Sequence, residues 1–190
     1  MLETFVEYDK ELFLFLNGLG TETWDGFWMF YTTKFNWIPF YAFLLLLMYK
    51  KLDRKSFLIT VALVALMILF TDQITNAFKY GIKRFRPCHN QEFDGIMRLV
   101  KSRCGGRYGF FSGHASNSMA VAVFTGLMLQ DKYRYLIFIM LFWAGLMAYS
   151  RVYIGVHYPL DIFCGMIFGG LSGLMFYKLS QYLFVKFTSA

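Results

Sequence analysis

The chain has 190 residues, enough for one domain, and carries a net charge of +7. Hydrophobic residues make up 57% of it and charged residues only 16%, against about 25% charged in a soluble domain. This balance excludes a soluble globular protein, because no single core of this size hides so much apolar surface, whereas a bilayer solvates it. The 23 Phe and 13 Tyr are residues that anchor helices at the headgroup level. The cations lie between apolar runs, so their anionic partners are expected to be lipid headgroups or a phosphorylated substrate, not nucleic acid.

In chain order, residues 3–17 read as a short amphipathic helix, with Phe5, Leu12, Phe13 and Leu16 among acids. It is too charged to span and is expected at the membrane interface, ended by Asn17-Gly18. Its acids also argue against a cleaved signal, which needs a positive start. Residues 24–49 hold a first span with Pro39 able to kink it, and 50–55 are a charged turn. Residues 56–78 form a second span, followed by a polar, basic stretch over 79–111. Further spans are expected over 112–130, 135–151 and 159–185, the last opened by Pro159, a favoured first helical residue. Each is near the roughly 20 residues a bilayer needs, and no alternating barrel pattern is present. The expected fold is therefore all-α, a transmembrane helical bundle of about five spans plus an N-terminal interfacial helix, in one domain over 1–190.

Short turns carry most orientation information. The turns 50–55 and 130–134 are basic and the N-terminus opposite is acidic. These turns are expected to be cytoplasmic and the long basic loop extracytoplasmic. Cys88 and Cys104 share that loop, and a disulfide is the natural reading in an oxidising compartment. Cys164 lies in an apolar run and reads as packing. Asp72 lies inside the second span, where an acid marks function by default or pairs with a partner.

Three clusters fall at span ends on one side. Lys79, Arg86 and Arg151 are cations from separate helix ends, and guanidinium forks match phosphate oxygens. Ser112 stands where a helix N-cap belongs, so the amides of Gly113 and His114 offer an anion site. His157 and Asp161 are one helical turn apart. A carboxylate on one imidazole nitrogen fixes the tautomer and leaves the other nitrogen as a nucleophile. His114 is a second imidazole, suited to protonate a leaving oxygen. Taken singly, each has a plainer role: a snorkelling cation, a cap, a turn glycine, a structural histidine, an acid at a helix start.

Together, Lys79-x6-Arg86-Pro87, Ser112-Gly113-His114 and Ser150-Arg151-x5-His157-x3-Asp161 resemble the three-part signature of the type 2 phosphatidic acid phosphatase superfamily. The likeness covers residues 79–161. It departs at one position, Phe111, where the family usually has proline. The resemblance implies that His157 attacks phosphorus, Asp161 orients it, and His114 serves the leaving group and then water. It implies that Lys79, Arg86, Ser112, Gly113 and Arg151 hold the phosphoryl oxygens, with no metal and no other cofactor. The substrate would be a lipid phosphate, of the undecaprenyl diphosphate, lipid A or phosphatidylglycerophosphate type. Such an enzyme would sit in the inner (cytoplasmic) membrane with its site facing the extracytoplasmic side, and would need no obligate protein partner. A lipid phosphotransferase and a non-catalytic lipid-binding or transport protein are the rival readings.

Overall fold

A computed structural model describes residues 2–188 as helices and connecting turns. Among them there is no strand, only an isolated bridge between Phe85 and Tyr108. The helices are α1 (Leu2–Gly18), α2 (Glu22–Thr32), α3 (Ile38–Lys51), α4 (Arg54–Ile82), α5 (Gly113–Leu129), α6 (Leu136–Tyr153) and α7 (Pro159–Thr188). Three of these, α4, α6 and α7, are long and apolar enough to cross a membrane. The 17 residues of α5 fall at the short end of the span range.

The expected first span, 24–49, is not one helix. It is divided into α2 and α3 by a 3-10 turn over Lys34–Trp37. The break precedes Pro39, which sits in the first turn of α3, where its missing N–H costs no hydrogen bond. Side chains end α2 by taking its last carbonyls. Thr33 Oγ1 donates to the Met29 carbonyl at 2.7 Å, Asn36 Nδ2 to Phe30 at 2.8 Å and Trp37 Nε1 to Tyr31 at 2.8 Å.

Helix α5 runs through the middle, packed most extensively on α7 and α6 and then on α4 and α3. Small residues bring α5 and α7 close. Gly165, Gly169 and Gly173 lie one turn apart on α7, facing Ser112, Ser116 and Ala120 of α5. A Cβ at Gly169 would stand 2.8 Å from the Ser116 carbonyl carbon. Without a hydrophobic force between lipid-bathed helices, such close backbone approach is what holds them together. At the far end from the three motifs, the turns meet: Lys51 Nζ donates to the Met128 carbonyl at 2.7 Å and pairs with Asp131 at 2.9 Å.

The four ends carrying the motifs all lie at the opposite side. Residues 83–112 cover it, with short turns at Pro87–His89 and Gln91–Phe93. Cys88 and Cys104 are joined in a disulfide, their Cα atoms 5.9 Å apart. Cys164 is free.

Two outcomes follow from these contacts. Gly169→Ala should lower the thermal midpoint in detergent, at a cost of about 1–3 kcal/mol for overpacking. Gly145→Ala, where a Cβ meets nothing within 4 Å, should leave the midpoint unchanged or raise it; equal effects would argue against the α5–α7 seam. Thiol labelling of the denatured, unreduced chain should modify Cys164 alone. Labelling of all three cysteines would refute a bridge whose loop closure is worth roughly 3 kcal/mol.

Candidate active site

The segment joining α6 to α7 explains two of the motif spacings. Helix α6 ends in a Schellman turn. Val156 N donates to the Arg151 carbonyl and Gly155 N to Val152, both at 3.0 Å. Gly155 adopts φ +82°, and a Cβ there would meet the Arg98 carbonyl oxygen at 2.5 Å, so only glycine fits. His157 N also donates to the Arg151 carbonyl at 3.3 Å. The turn therefore folds His157 back onto the residue that carries the buried guanidinium. Helix α7 then opens at Pro159, which makes Asp161 its third residue. From that position its carboxylate reaches back, as in half of a capping box. Oδ2 accepts from Tyr158 N at 3.1 Å and faces His157 Nδ1 at 3.3 Å.

A carboxylate only accepts, so His157 carries its proton on Nδ1 and leaves Nε2 with a lone pair. Burial holds the imidazole well below its ordinary pKa, and Arg86, Arg151, Lys79 and Arg84 push the same way. The ring is therefore neutral near pH 7. His157, Asp161, Arg151 and Ser112 are 2%, 0%, 4% and 0% exposed, so the site lies within the protein.

Ser112 caps α5: its Oγ accepts from Ala115 N at 3.4 Å. Its backbone N donates to the Asp161 carbonyl at 3.0 Å, which joins the start of α5 to the start of α7. The first amides of α5, at Gly113 and His114, have no partner inside the helix. A Cβ at Gly113 would stand 3.6 Å from Lys79 Nζ and 3.5 Å from Thr75 Oγ1, so the lysine lies against this turn. Lys79 occupies the last turn of α4, which closes at Lys83 in the left-handed region, φ 57°. The reversal lets Arg86 return, and its Nε donates to the Tyr108 carbonyl at 3.2 Å. Arg151 Nη1 donates to Thr32 Oγ1 at 2.6 Å. Its Nε is buried without a hydrogen-bond partner, a donor that an anion would satisfy.

His114 lines a cavity of about 510 Å³ between α3, α4 and α5. Asp72 and Asn117 share that wall, Asn117 Nδ2 donating to Asp72 Oδ1 at 2.8 Å. The rest of the lining is mainly apolar and reaches exposed Phe35, Ile38 and Leu45. Asp72 thus lies in the cavity wall beside the site. Among the described residues, no group of three His, Cys, Asp or Glu is placed to hold a metal ion.

Several residues of this centre carried no motif. Gly109 approaches closely: a Cβ there would stand 3.1 Å from Asp161 Oδ2 and 3.5 Å from His157 Nδ1. Arg84 Nη1 donates to Asp161 Oδ1 at 2.9 Å, and Arg84 Nη2 to Asp9 Oδ2 at 2.5 Å. Thr32 supports Arg151. Only the basic character of the 79–111 stretch pointed toward Arg84.

Residues 60–184 match the PAP2 superfamily. The chain is 36% identical to the lipid A 4'-phosphatase of Bacteroides thetaiotaomicron, over 100% of this chain and 84% of that one. It is 37% identical to the lipid A 4'-phosphatase of Porphyromonas gingivalis, over 95% of this chain and 76% of that one. Its fold is similar to that of a transmembrane PAP2-type phosphatidylglycerolphosphate phosphatase from Bacillus subtilis. The TM-score there is 0.69 at 20% identity, covering 97% of this chain and 88% of the other. A family match over most of the chain, on a helical bundle that gathers its three motifs at one end, makes this multi-pass membrane protein a member of the PAP2 superfamily.

Proposed function

We propose that this membrane lipid phosphatase hydrolyses a phosphomonoester on an acylated sugar lipid of the lipid A type, through a phosphohistidine on His157. The observation that carries the reaction is a neutral, buried imidazole ringed by four cations, held at Nδ1 by a carboxylate. The two relatives above, similar over nearly the whole chain, support the substrate class. The large, mainly apolar cavity, with His114, Asp72 and Asn117 in its wall, suits a leaving group with acyl chains and a hydroxylated head.

The phosphoryl group enters among Lys79, Arg86, Arg151 and the start of α5, with Ser112 and Gly113 at the helix N-terminus. His157 Nε2 attacks phosphorus and the P–N bond forms as the P–O bond to the lipid breaks. His114 gives its proton to the departing oxygen. It then takes a proton from water, which attacks phosphorus and releases phosphate from His157. Asp161 stabilises the positive charge that develops on the ring. The chain works as one domain, because α1 through α7 all contribute to or brace this centre. The basic short turns favour a site facing the extracytoplasmic side of the inner membrane.

Two experiments test this reading. In a panel of purified lipid phosphates, lipid A should release phosphate fastest, and release should survive excess chelator. A preference for undecaprenyl diphosphate would overturn the substrate class. Loss in chelator with rescue by Mg²⁺ would overturn the pocket assignment, and release only with a second lipid would indicate transfer.

The histidines separate by leaving group. His157→Ala should be inactive on lipid A and on nitrophenyl phosphate alike. His114→Ala should lose about 10²–10⁴-fold on the lipid but less in the first step with nitrophenyl phosphate, since an acidic phenol departs without a proton. It should then accumulate an acid-labile, base-stable phosphoenzyme that His157→Ala lacks. Label on neither variant would remove the covalent route, and the reverse pattern would exchange the two roles.

A further inference from the structure

Helix α1 has two faces. Phe5, Tyr8, Leu12 and Phe15 form an exposed apolar stripe along one side. Asp9, Phe13 and Asn17, spaced by four residues, are buried along the other. All three inner residues meet the segment that carries His157. Asn17 Nδ2 donates to the Val152 and Tyr153 carbonyls at 3.1 and 2.9 Å, at the end of α6. The Phe13 ring lies 5.5 Å from that of Tyr158. Asp9 Oδ1 accepts from Leu160 N at 2.8 Å, an amide of the first turn of α7. So α1 caps both helix ends that flank the nucleophile.

Asp9 does more than cap. Its second oxygen binds Arg84, whose other arm binds Asp161 Oδ1. The guanidinium lies over the Tyr158 ring, 4.1 Å from its centroid. Arg84 thus bridges two carboxylates in one fork. With Oδ1 occupied, Asp161 has Oδ2 left for His157 and Tyr158 N. Held by Asp9, the fork cannot turn toward the phosphate pocket that Arg86 and Arg151 serve.

We propose that Asp9 is a positioning residue for phosphoryl transfer, fixing the Asp161 carboxylate through Arg84 and the Leu160 amide and thereby setting the angle of the His157 ring. The proposal rests on His157 being the nucleophile. A ring misdirected by a fraction of an ångström attacks more slowly although every partner is present.

The test uses nitrophenol release in a His114→Ala background, where phosphoenzyme accumulates and the burst reports attack by His157. Asp9→Asn keeps the shape and an acceptor for the Leu160 amide but loses the charged bond to Arg84. Its burst rate should fall about 10–100-fold, as for other groups that orient a reacting side chain, at unchanged burst amplitude and unchanged KM. Arg84→Lys keeps the charge but not the fork and should show the same loss. The double variant should be no slower than the slower single one, because both break one link. A burst rate in Asp9→Asn equal to that of the His114→Ala parent overturns the proposal, as does a smaller amplitude at the same rate, which would mean that Asp9 only holds the fold. Should Asp9→Asn fail to fold, Arg84→Lys decides by the same rate and amplitude. Absence of any burst in the His114→Ala parent would instead fault the assignment of His157.

Discussion

A carboxylate with no exposed surface must be surrounded by donors or it will not stay ionised. Asp161, fully buried, meets that demand with three donors. His157 and Tyr158 supply donors from the α6–α7 turn, Arg84 supplies one from the loop after α4, and Arg84 is itself held by α1. The Asp161 backbone carbonyl meanwhile receives the Ser112 amide at the head of α5. Removing this one group would leave a loop arginine, a turn and two helix ends without their common partner. The close α5–α7 seam makes the arrangement feasible, because glycines on α7 let its backbone settle against Ser116 and Ala120.

The cations tell the complementary story. Arg86, Arg151, Lys79 and Arg84 all bear on the His157 imidazole. Like charges gathered out of water repel, and desolvation adds to the cost. Arg151 shows the imbalance most directly, with one nitrogen on Thr32 and its Nε without a partner. A phosphoryl group would satisfy that donor and offset the repulsion at once. On the proposed mechanism, these cations concentrate binding energy on the group that reacts.

How much of this the sequence could reveal depended on whether a residue acts locally. The helical character, the composition and the three spacings were readable because each rests on short-range geometry. His157-x3-Asp161 is a residue ahead of a helix and the third residue within it. Ser150-Arg151-x5-His157 is a Schellman turn with Gly155 at its left-handed position. Asp9, Asn17 and Arg84 were not readable, since an acid on an interfacial helix and an arginine in a basic loop look like solvated charge until tertiary contacts bury them. The division of the first expected span was missed for a related reason. Thr33, Asn36 and Trp37 end α2 with side-chain bonds to its carbonyls, and hydropathy does not register such bonds. Pro39 marked the neighbourhood of the break but not its position.

The cavity beside His114 has a consequence for turnover. It runs between α3, α4 and α5 toward exposed Phe35, Ile38 and Leu45, whereas Lys79 and Arg151 stand at helix ends and Arg86 in the loop of residues 83–112 that covers them. The two products of hydrolysis therefore differ in where they belong. A dephosphorylated lipid has lost the charge that held it at the site and can drift sideways along an apolar wall. Inorganic phosphate can leave only toward water, away from that wall. On the proposed two-step route, departure of the lipid first would clear the space beside His114 for the water of the second step, so the lipid's exit would gate release of phosphate.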